Sequence, residues 1–380
     1  MIAERPAVAA RACTRLPSSS PATEASATER PSETLRFTTK TTAGPGIINN
    51  TMEAIANPRR LSADGTIADA TCHHQGVVNP PDDPSNSSPA SSEVAAARMP
   101  GDGLSLAVDH YGDPGGPPVV LLHGGGQTRH AWGGAGRVFA AAGRHAMSFD
   151  LRGHGDSDWS PSGSYMLDDF AADVRAIVAA LPETPVLVGA SLGGLASIVA
   201  VGESAADDPP IARAIVLVDV APRIETEGRI KIQEFMRAGM RGFDTLDDAA
   251  DAVATFNPNR PRPRDVNGLR KNLRERGDGR WYWHWDPRWI TNRSGVDGQA
   301  GSFAHDRLRD AARRLDVPTL LVRGRMSDIV SDESVRELLE LVPHAEVADV
   351  AGAGHMVAGD RNDAFNSAVV EFVDRVAPIR

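Results

Sequence analysis

From Pro117 to Ala377, short uninterrupted apolar runs alternate with stretches of helical spacing, and no other feature constrains the fold of this chain as tightly. "PPVVLLHGGG" (117–126) and "RHAMSFDLRGHG" (144–155) are apolar runs of strand length that end in glycine. That is the form of a parallel strand, buried on both faces, opening into a ligand loop. "LDDFAADVRAIVAALP" (167–182) instead sets Leu167, Phe170, Val174, Ile177, Val178 and Leu181 at helical spacing. "PVLVGAS", "ARAIVLVDVAP", "VPTLLVRGR" and "AEVADVAGAGH" read as further strands, with "LGGLASIVAVG", "SDESVRELLELVP" and "NDAFNSAVVEFVDRVA" as helices. Upstream, "LSLAVDHYG" alternates like a half-buried strand. The expected class is α/β, with a mainly parallel, twisted sheet and helices on both faces.

Residues 222–310 break this rhythm and read as a helical insertion after the strand ending near Val220. The core is then 99–221 and 311–380, with the insertion at the sheet edge where ligands of open α/β sheets bind. The insertion contains "GRWYWHWDPRW" (279–289), which holds four of the six tryptophans. If helical, Trp281, Trp285 and Trp289 share a face; if extended, Trp281, Trp283 and Trp285 do. They serve either as the small core of the insertion or as the wall of a ligand pocket. Just before them, residues 259–280 carry eight basic and three acidic side chains, a solvated face or a clamp for a substrate carboxylate.

Residues 1–98 contain a single aromatic residue, Phe37, and stretches such as "NPPDDPSNSSPASS", a composition that cannot offset the entropy of ordering its backbone. They read as a disordered tail, an untranslated upstream extension or a targeting segment, with Met99 at the position where a compact product would start. Both cysteines, Cys13 and Cys72, lie there, so the rest of the chain has no thiolate, disulfide or cysteine nucleophile. No apolar run reaches membrane-spanning length and the N-terminus has no apolar signal core, so a cytoplasmic protein is expected. A formal charge of −10 disfavours nucleic acid as a partner.

"GASLG" (189–193) has the form G-x-S-x-G between a predicted strand and a predicted helix. A serine on so sharp a turn stands clear of the backbone near the positive end of the helix. A nucleophilic serine needs a base, and His355, in "VAGAGHMVAGD", follows the last strand at the same sheet edge. The imidazole needs a carboxylate to fix its tautomer. Asp328, after the penultimate strand, is the preferred candidate, and Asp219, in "VLVDVAP", is the rival. In "HGGG" (123–126), Gly125 offers an amide to a developing oxyanion, with Leu192 as second donor and Gly126 as substitute. "DLRGHGDSD" (150–158) reads as a loop held by an internal Asp–Arg–backbone network rather than as a metal site.

Taken together, "HGGG" with Trp132 downstream, "DLRGHGDSD", "GASLGG", "VDVAP", "GRMSD" and "GAGH" resemble the α/β-hydrolase superfamily over residues 101–380. The similarity is to its branch with one inserted cap, which includes carboxylesterases, lactonases, cofactor-free haloperoxidases and carbon–carbon bond hydrolases. It implies an α/β-hydrolase sheet, Ser191 as nucleophile, His355 as base and Asp328 as orienting acid, with no cofactor and no metal. A serine at the nucleophile position sets the chain apart from the epoxide hydrolases and haloalkane dehalogenases, which carry aspartate there. The expected activity is hydrolysis of a small carboxylic ester, aromatic or not, with Trp132, Trp281 and Trp285 as substrate-binding residues. Perhydrolysis or carbon–carbon cleavage on the same residues is the alternative, and a small-molecule receptor on a hydrolase scaffold is the alternative of another class. The expected partner is the small-molecule substrate, with neither nucleic acid nor membrane; the sequence carries no signal for oligomeric state.

Overall fold

The computed structural model describes residues 94–205, 207–258, 262–292, 297–355 and 362–379, without the side chains of 297–304 and 362. Eight strands form one sheet: β1 (Ala95–Pro100), β2 (Ser105–Tyr111), β3 (Pro118–Leu122), β4 (His145–Phe149), β5 (Val186–Ala190), β6 (Ala214–Val218), β9 (Thr319–Gly324) and β10 (Glu346–Val350). Their order across the sheet is β1-β2-β4-β3-β5-β6-β9-β10. β1 and β2 run antiparallel and the pairs from β4 onward run parallel. β3, β4, β6 and β9 are buried along their whole length. This is why they read as unbroken apolar runs.

Helices cover both faces. On one, α1 (Gly133–Ala141) and α9 (Asn362–Val376) pack Phe139, Phe365, Phe372 and Val373 onto Val119, Leu121, Val188 and Val216. On the other, α2 (Leu167–Ala179), α3 (Leu192–Gly202), α7 (Asp297–Arg313) and α8 (Asp332–Leu341) bring in Phe170, Val174, Ile198, Leu308 and Leu338. Strand order turns back at β3, which has β4 on one side and β5 on the other. Such a switch point parts the loops that leave neighbouring strands and opens a crevice at their C-terminal ends.

Two boundaries differ from expectation. The division at residue 98 falls inside β1, which pairs Ala95 with His110 through Pro100 with Ser105. Three alanines on an exposed edge carry no alternation, so only the backbone pairing reveals the strand. Residues 1–93, on which the rest of that reading falls, lie outside the described residues.

The insertion ends earlier than residue 310. α7 belongs to the core layer, where Arg314 Nε donates to Gly202 O at 2.6 Å and Arg307 pairs with Glu203 at 2.7 Å. A Cβ on Gly202 would lie 2.0 Å from Ala311 O, so only glycine lets α3 and α7 approach this closely. The insertion is also only partly helical. Beside α4 (Thr226–Gly239), α5 (Leu246–Phe256) and α6 (Arg288–Thr291), it holds an antiparallel hairpin of β7 (Leu273–Glu275) and β8 (Trp281–Trp283).

Candidate active site

Ser191 stands between β5 and α3 with φ 44° and ψ −112°, a left-handed backbone that costs a non-glycine residue about 1–3 kcal/mol. The surrounding glycines make the turn possible. A Cβ on Gly189 would lie 2.5 Å from Gly194 N, and one on Gly193 would lie 2.5 Å from Leu122 O. The helix thus folds back against its own strand and against β3. The Ser191 amide donates to Val218 O at 3.2 Å, which ties the turn to the end of β6.

The next residue after that β6 carbonyl is Asp219, also left-handed at φ 47° and fully buried. His355 Nδ1 lies 2.8 Å from Asp219 Oδ2. A carboxylate accepts only, so Nδ1 carries a proton in this contact, and in the neutral ring Nε2 then keeps its lone pair. The preference for Asp328 is therefore corrected: Asp219, the rival, is the carboxylate on His355. Asp328 is 45% exposed and pairs with Lys231 Nζ of α4 at 3.0 Å. The reason is the phase of the 324–330 turn. Ser327 N donates to Gly324 O at 3.0 Å, and Ser327 Oγ lies 2.5 Å from Asp219 Oδ2. Ser327 therefore points inward, and its neighbour Asp328 points out toward the insertion.

The glycine loop lies alongside the serine: a Cβ on Gly124 would be 3.3 Å from the Ser191 Cβ. Two buried histidines hold this loop. His123 Nδ1 donates to Gly124 O at 2.7 Å and its Nε2 accepts from Leu151 N at 3.0 Å. His154 Nδ1 donates to Arg152 O at 3.0 Å and its Nε2 accepts from Gly126 N at 3.1 Å. The Gly126 amide is thus spent on His154, which removes it as the substitute donor. The amide of Gly125 takes no part in these bonds, and that of Leu192 is the first of α3, without an acceptor in its own helix. Leu192 Cδ2 is 3.8 Å from the Cβ position of Gly125, so the two predicted donors are neighbours. The loop "DLRGHGDSD" is only partly held from within. Asp150 accepts from Asp156 N at 2.9 Å, but its arginine is Arg129 from outside the loop, whose N donates to it at 2.6 Å, while the loop's own Arg152 pairs with Asp173.

Desolvation by complete burial pushes His123 down to about 4 and His154 down to about 3. Both are neutral in the fold, whereas an unfolded histidine takes up a proton near pH 6.5. Their contribution to stability is complete above that pH and is lost as pH falls toward 4 for His123 and toward 3 for His154. Each is expected to cost about 1.4 kcal/mol per pH unit across that window. Thermal melts between pH 7.5 and 4.5 should show a fall in Tm that starts near pH 6.5. A Tm that is flat down to pH 5 contradicts this.

The tryptophans divide into two groups. β8 is extended, and Trp281 and Trp283 on it are buried in the insertion. Trp283 packs on Phe235 and Phe243 with ring centroids 5.7 and 5.5 Å apart. Beyond β8 the chain is sewn to the core: Gly155 N donates to His284 O at 2.7 Å, Asp286 N to Gly153 O at 2.8 Å, and Tyr165 Oη to Asp286 Oδ2 at 2.6 Å. This seam carries Trp285 and Trp289 to the glycine loop. A Cβ on Gly125 would lie 2.5 Å from the Trp289 ring, and one on Gly126 would lie 2.6 Å from Met236 Cε and 3.9 Å from Trp285 Nε1. Met236 carried no signal in the sequence, and Trp289, weighed with the tryptophan run as a possible pocket wall, was not among the expected substrate-binding residues.

Of the three tryptophans expected to bind substrate, Trp285 lies beside the glycine loop, whereas Trp281 and Trp132 lie away from it. Trp281 carries the Arg270 guanidinium 4.5 Å over its ring and borders a cleft of about 480 Å³ that includes none of the residues packed on the glycine loop. Trp132 is 2% exposed and packs on Phe365 of α9 in the opposite core layer, at 5.9 Å. The described part of the basic run divides: Arg270, Lys271 and Arg274 line the cleft beside Trp281, other members are paired or stacked, and Arg260 lies outside the described residues. Arg262 pairs with Asp247 and Asp251, Arg280 with Asp244, and Arg276 stacks on Tyr282.

Residues 117–361 match the family model of the alpha/beta hydrolase fold. The chain is 32% identical over 260 residues to the esterase Rv0045c of Mycobacterium tuberculosis, covering 64% of this chain and 78% of that protein. It is 30% identical to the 2-(acetamidomethylene)succinate hydrolase of Mesorhizobium japonicum, over 60% of this chain and 78% of the relative. The solved structure of the M. tuberculosis esterase superposes with a TM-score of 0.56 at 28% identity, over 74% of this chain and 92% of that one. A crystal structure of E-2-(acetamidomethylene)succinate hydrolase, 24% identical, shares the fold with a TM-score of 0.62 over 74% of this chain and all of the other. Among the described residues, no helix is long and apolar enough to cross a membrane. With its parallel sheet, its serine turn and a family match over most of the folded chain, this protein belongs to the α/β hydrolase fold family.

Proposed function

We propose that the protein is a serine hydrolase that cleaves a small carboxylic ester through an acyl-enzyme intermediate. The observation that carries this reading is the His355–Asp219 hydrogen bond of 2.8 Å, next to a serine held on a left-handed turn. Ser191 Oγ attacks the ester carbonyl carbon while His355 Nε2 accepts its proton. The carbonyl π electrons move to oxygen, which rests on the amides of Gly125 and Leu192. Collapse of this intermediate expels the alcohol, protonated by His355, and leaves an acyl-serine. Water, deprotonated by His355, then attacks the acyl carbon and releases the acid and the free serine. Trp289, Trp285 and Met236 supply an apolar wall beside the glycine loop, as an uncharged acyl or alcohol group requires. The named activity of the M. tuberculosis relative, an esterase, supports the same reading.

The first test is a burst experiment. With p-nitrophenyl acetate or benzoate, p-nitrophenol should appear in a rapid phase approaching one equivalent per chain, and a fluorophosphonate probe should label the protein. A folded protein that shows neither burst nor labelling would rule the proposal out.

Gly125 is both a donor and the floor on which Trp289 rests. Gly125→Ala places a methyl into the indole and displaces the amide. A loss of about 10²-fold in kcat is expected, the scale of one lost oxyanion donor. Adding Trp289→Ala removes the clash and should return part of that loss; if the double variant is no faster than Gly125→Ala, the steric account fails.

A further inference from the structure

The carboxylate of Asp219 is fully buried, and a buried charge is tolerated only when hydrogen bonds replace its lost water. The 324–330 turn provides two of them. The Gly324 amide donates to Asp219 Oδ1 at 3.1 Å, and Ser327 Oγ lies 2.5 Å from Oδ2, the same oxygen that meets His355 Nδ1 at 2.8 Å.

The other partners of Ser327 fix the direction of its bond. Ser327 Oγ accepts from the amides of Ile329 at 3.1 Å and Val330 at 3.2 Å. A hydroxyl has one proton and two lone pairs. With both lone pairs turned to amides that only donate, the proton is left for Asp219. The short O···O distance is that of a hydroxyl bound to an ionised carboxylate. The turn therefore gives Asp219 a preset O–H on one oxygen and a preset N–H on the other, which fixes the plane of the carboxylate.

We infer that Ser327 is a positioning residue: it holds the Asp219 carboxylate in the one orientation that orients His355, and so acts on the reaction through two intermediaries. This rests on the proposed roles of Ser191, His355 and Asp219. It also explains why the carboxylate that meets His355 comes from the end of β6 and not from the turn after β9. That turn is occupied in holding it.

The decisive experiment compares Ser327→Ala, Ser327→Cys and Ser327→Thr with the parent enzyme. Steady-state hydrolysis of p-nitrophenyl acetate and the low-field proton NMR resonance of His355 Nδ1–H would be followed together. Ser327→Ala is expected to lower kcat about 10- to 100-fold, equivalent to one hydrogen bond to a charged group, with KM within about twofold. The low-field resonance should shift or broaden. Ser327→Cys, close in size but a weak donor, should fall between, and it carries the test if Ser327→Ala does not fold. Ser327→Thr keeps the hydroxyl and should return most of the activity. In an Asp219→Asn background, Ser327→Ala should add no further loss of kcat.

A folded Ser327→Ala or Ser327→Cys with parental kcat and an unmoved resonance would overturn the inference, as would a change in KM alone. The underlying reading fails separately. If Asp219→Asn keeps full activity, the proposed roles are wrong. If Asp219→Asn is inactive while Ser327→Ala is fully active, only the role of Ser327 is wrong.

Discussion

Asp219→Asn is expected to lower kcat by about 10⁴-fold, the scale seen when the carboxylate of a serine–histidine pair becomes an amide. Asp328→Asn should stay within about threefold of the parent. The contrast follows from what surrounds each group. Every described neighbour of the Asp219 carboxylate is a donor: the Gly324 amide, the Ser327 hydroxyl and the His355 ring. An asparagine there must turn its NH₂ toward one of these donors, with no acceptor to receive it. Facing His355, the amide nitrogen forces the proton from Nδ1 to Nε2, the tautomer that cannot accept from serine. Facing Gly324, it leaves a buried repulsion between two N–H groups. Asp328 loses only a half-exposed ion pair with Lys231, a contact worth about 0–1 kcal/mol. Equal losses in the two variants, or a larger loss in Asp328→Asn, would return the role to Asp328. Steady-state kinetics on one chromogenic ester are enough to decide.

Ser191→Ala should be the most damaging substitution, with a fall in kcat of about 10⁶-fold and complete loss of fluorophosphonate labelling. The remaining rate would come from the Gly125 and Leu192 amides acting on bound ester with water as nucleophile. Stability should hardly change, since alanine keeps the strained φ of 44°. Ser191→Gly separates chemistry from strain. It is equally inactive, but glycine tolerates a left-handed backbone, so unfolding should become harder by about 1 kcal/mol. Denaturant titration of the three proteins would measure this. If Ser191→Gly is no more stable than Ser191→Ala, the turn stores no strain.

These effects place the fragile parts of the molecule at its sheet edge. Two residues with left-handed backbones, Ser191 and Asp219, close adjacent strands and are joined through the Ser191–Val218 hydrogen bond. Both turns rest on β3 and β9 through close backbone contacts, so the cost of their strain is met by rigid neighbours rather than by the site itself.

The order of elements, the parallel core and the positions of Ser191, His355 and Gly125 could be read from the sequence, because each depends on local chemistry. Buried strands need unbroken apolar runs, and a serine turn needs glycines two residues to either side. Three things depended on contacts between segments far apart in the chain. Which acid meets His355 was set by the phase of one turn: Asp219 and Asp328 both follow strands at the right edge, and Ser327 rather than Asp328 faces inward. Which tryptophans reach the glycine loop was set by a seam of hydrogen bonds between residues 153–155 and 284–286, which carries Trp285 and Trp289 inward and leaves Trp281 on the outer hairpin. The edge strand β1 exists because β2 offers its backbone, a pairing that three exposed alanines do not announce. Local periodicity records what a segment buries, whereas the partner it meets is fixed only when the chain has closed on itself.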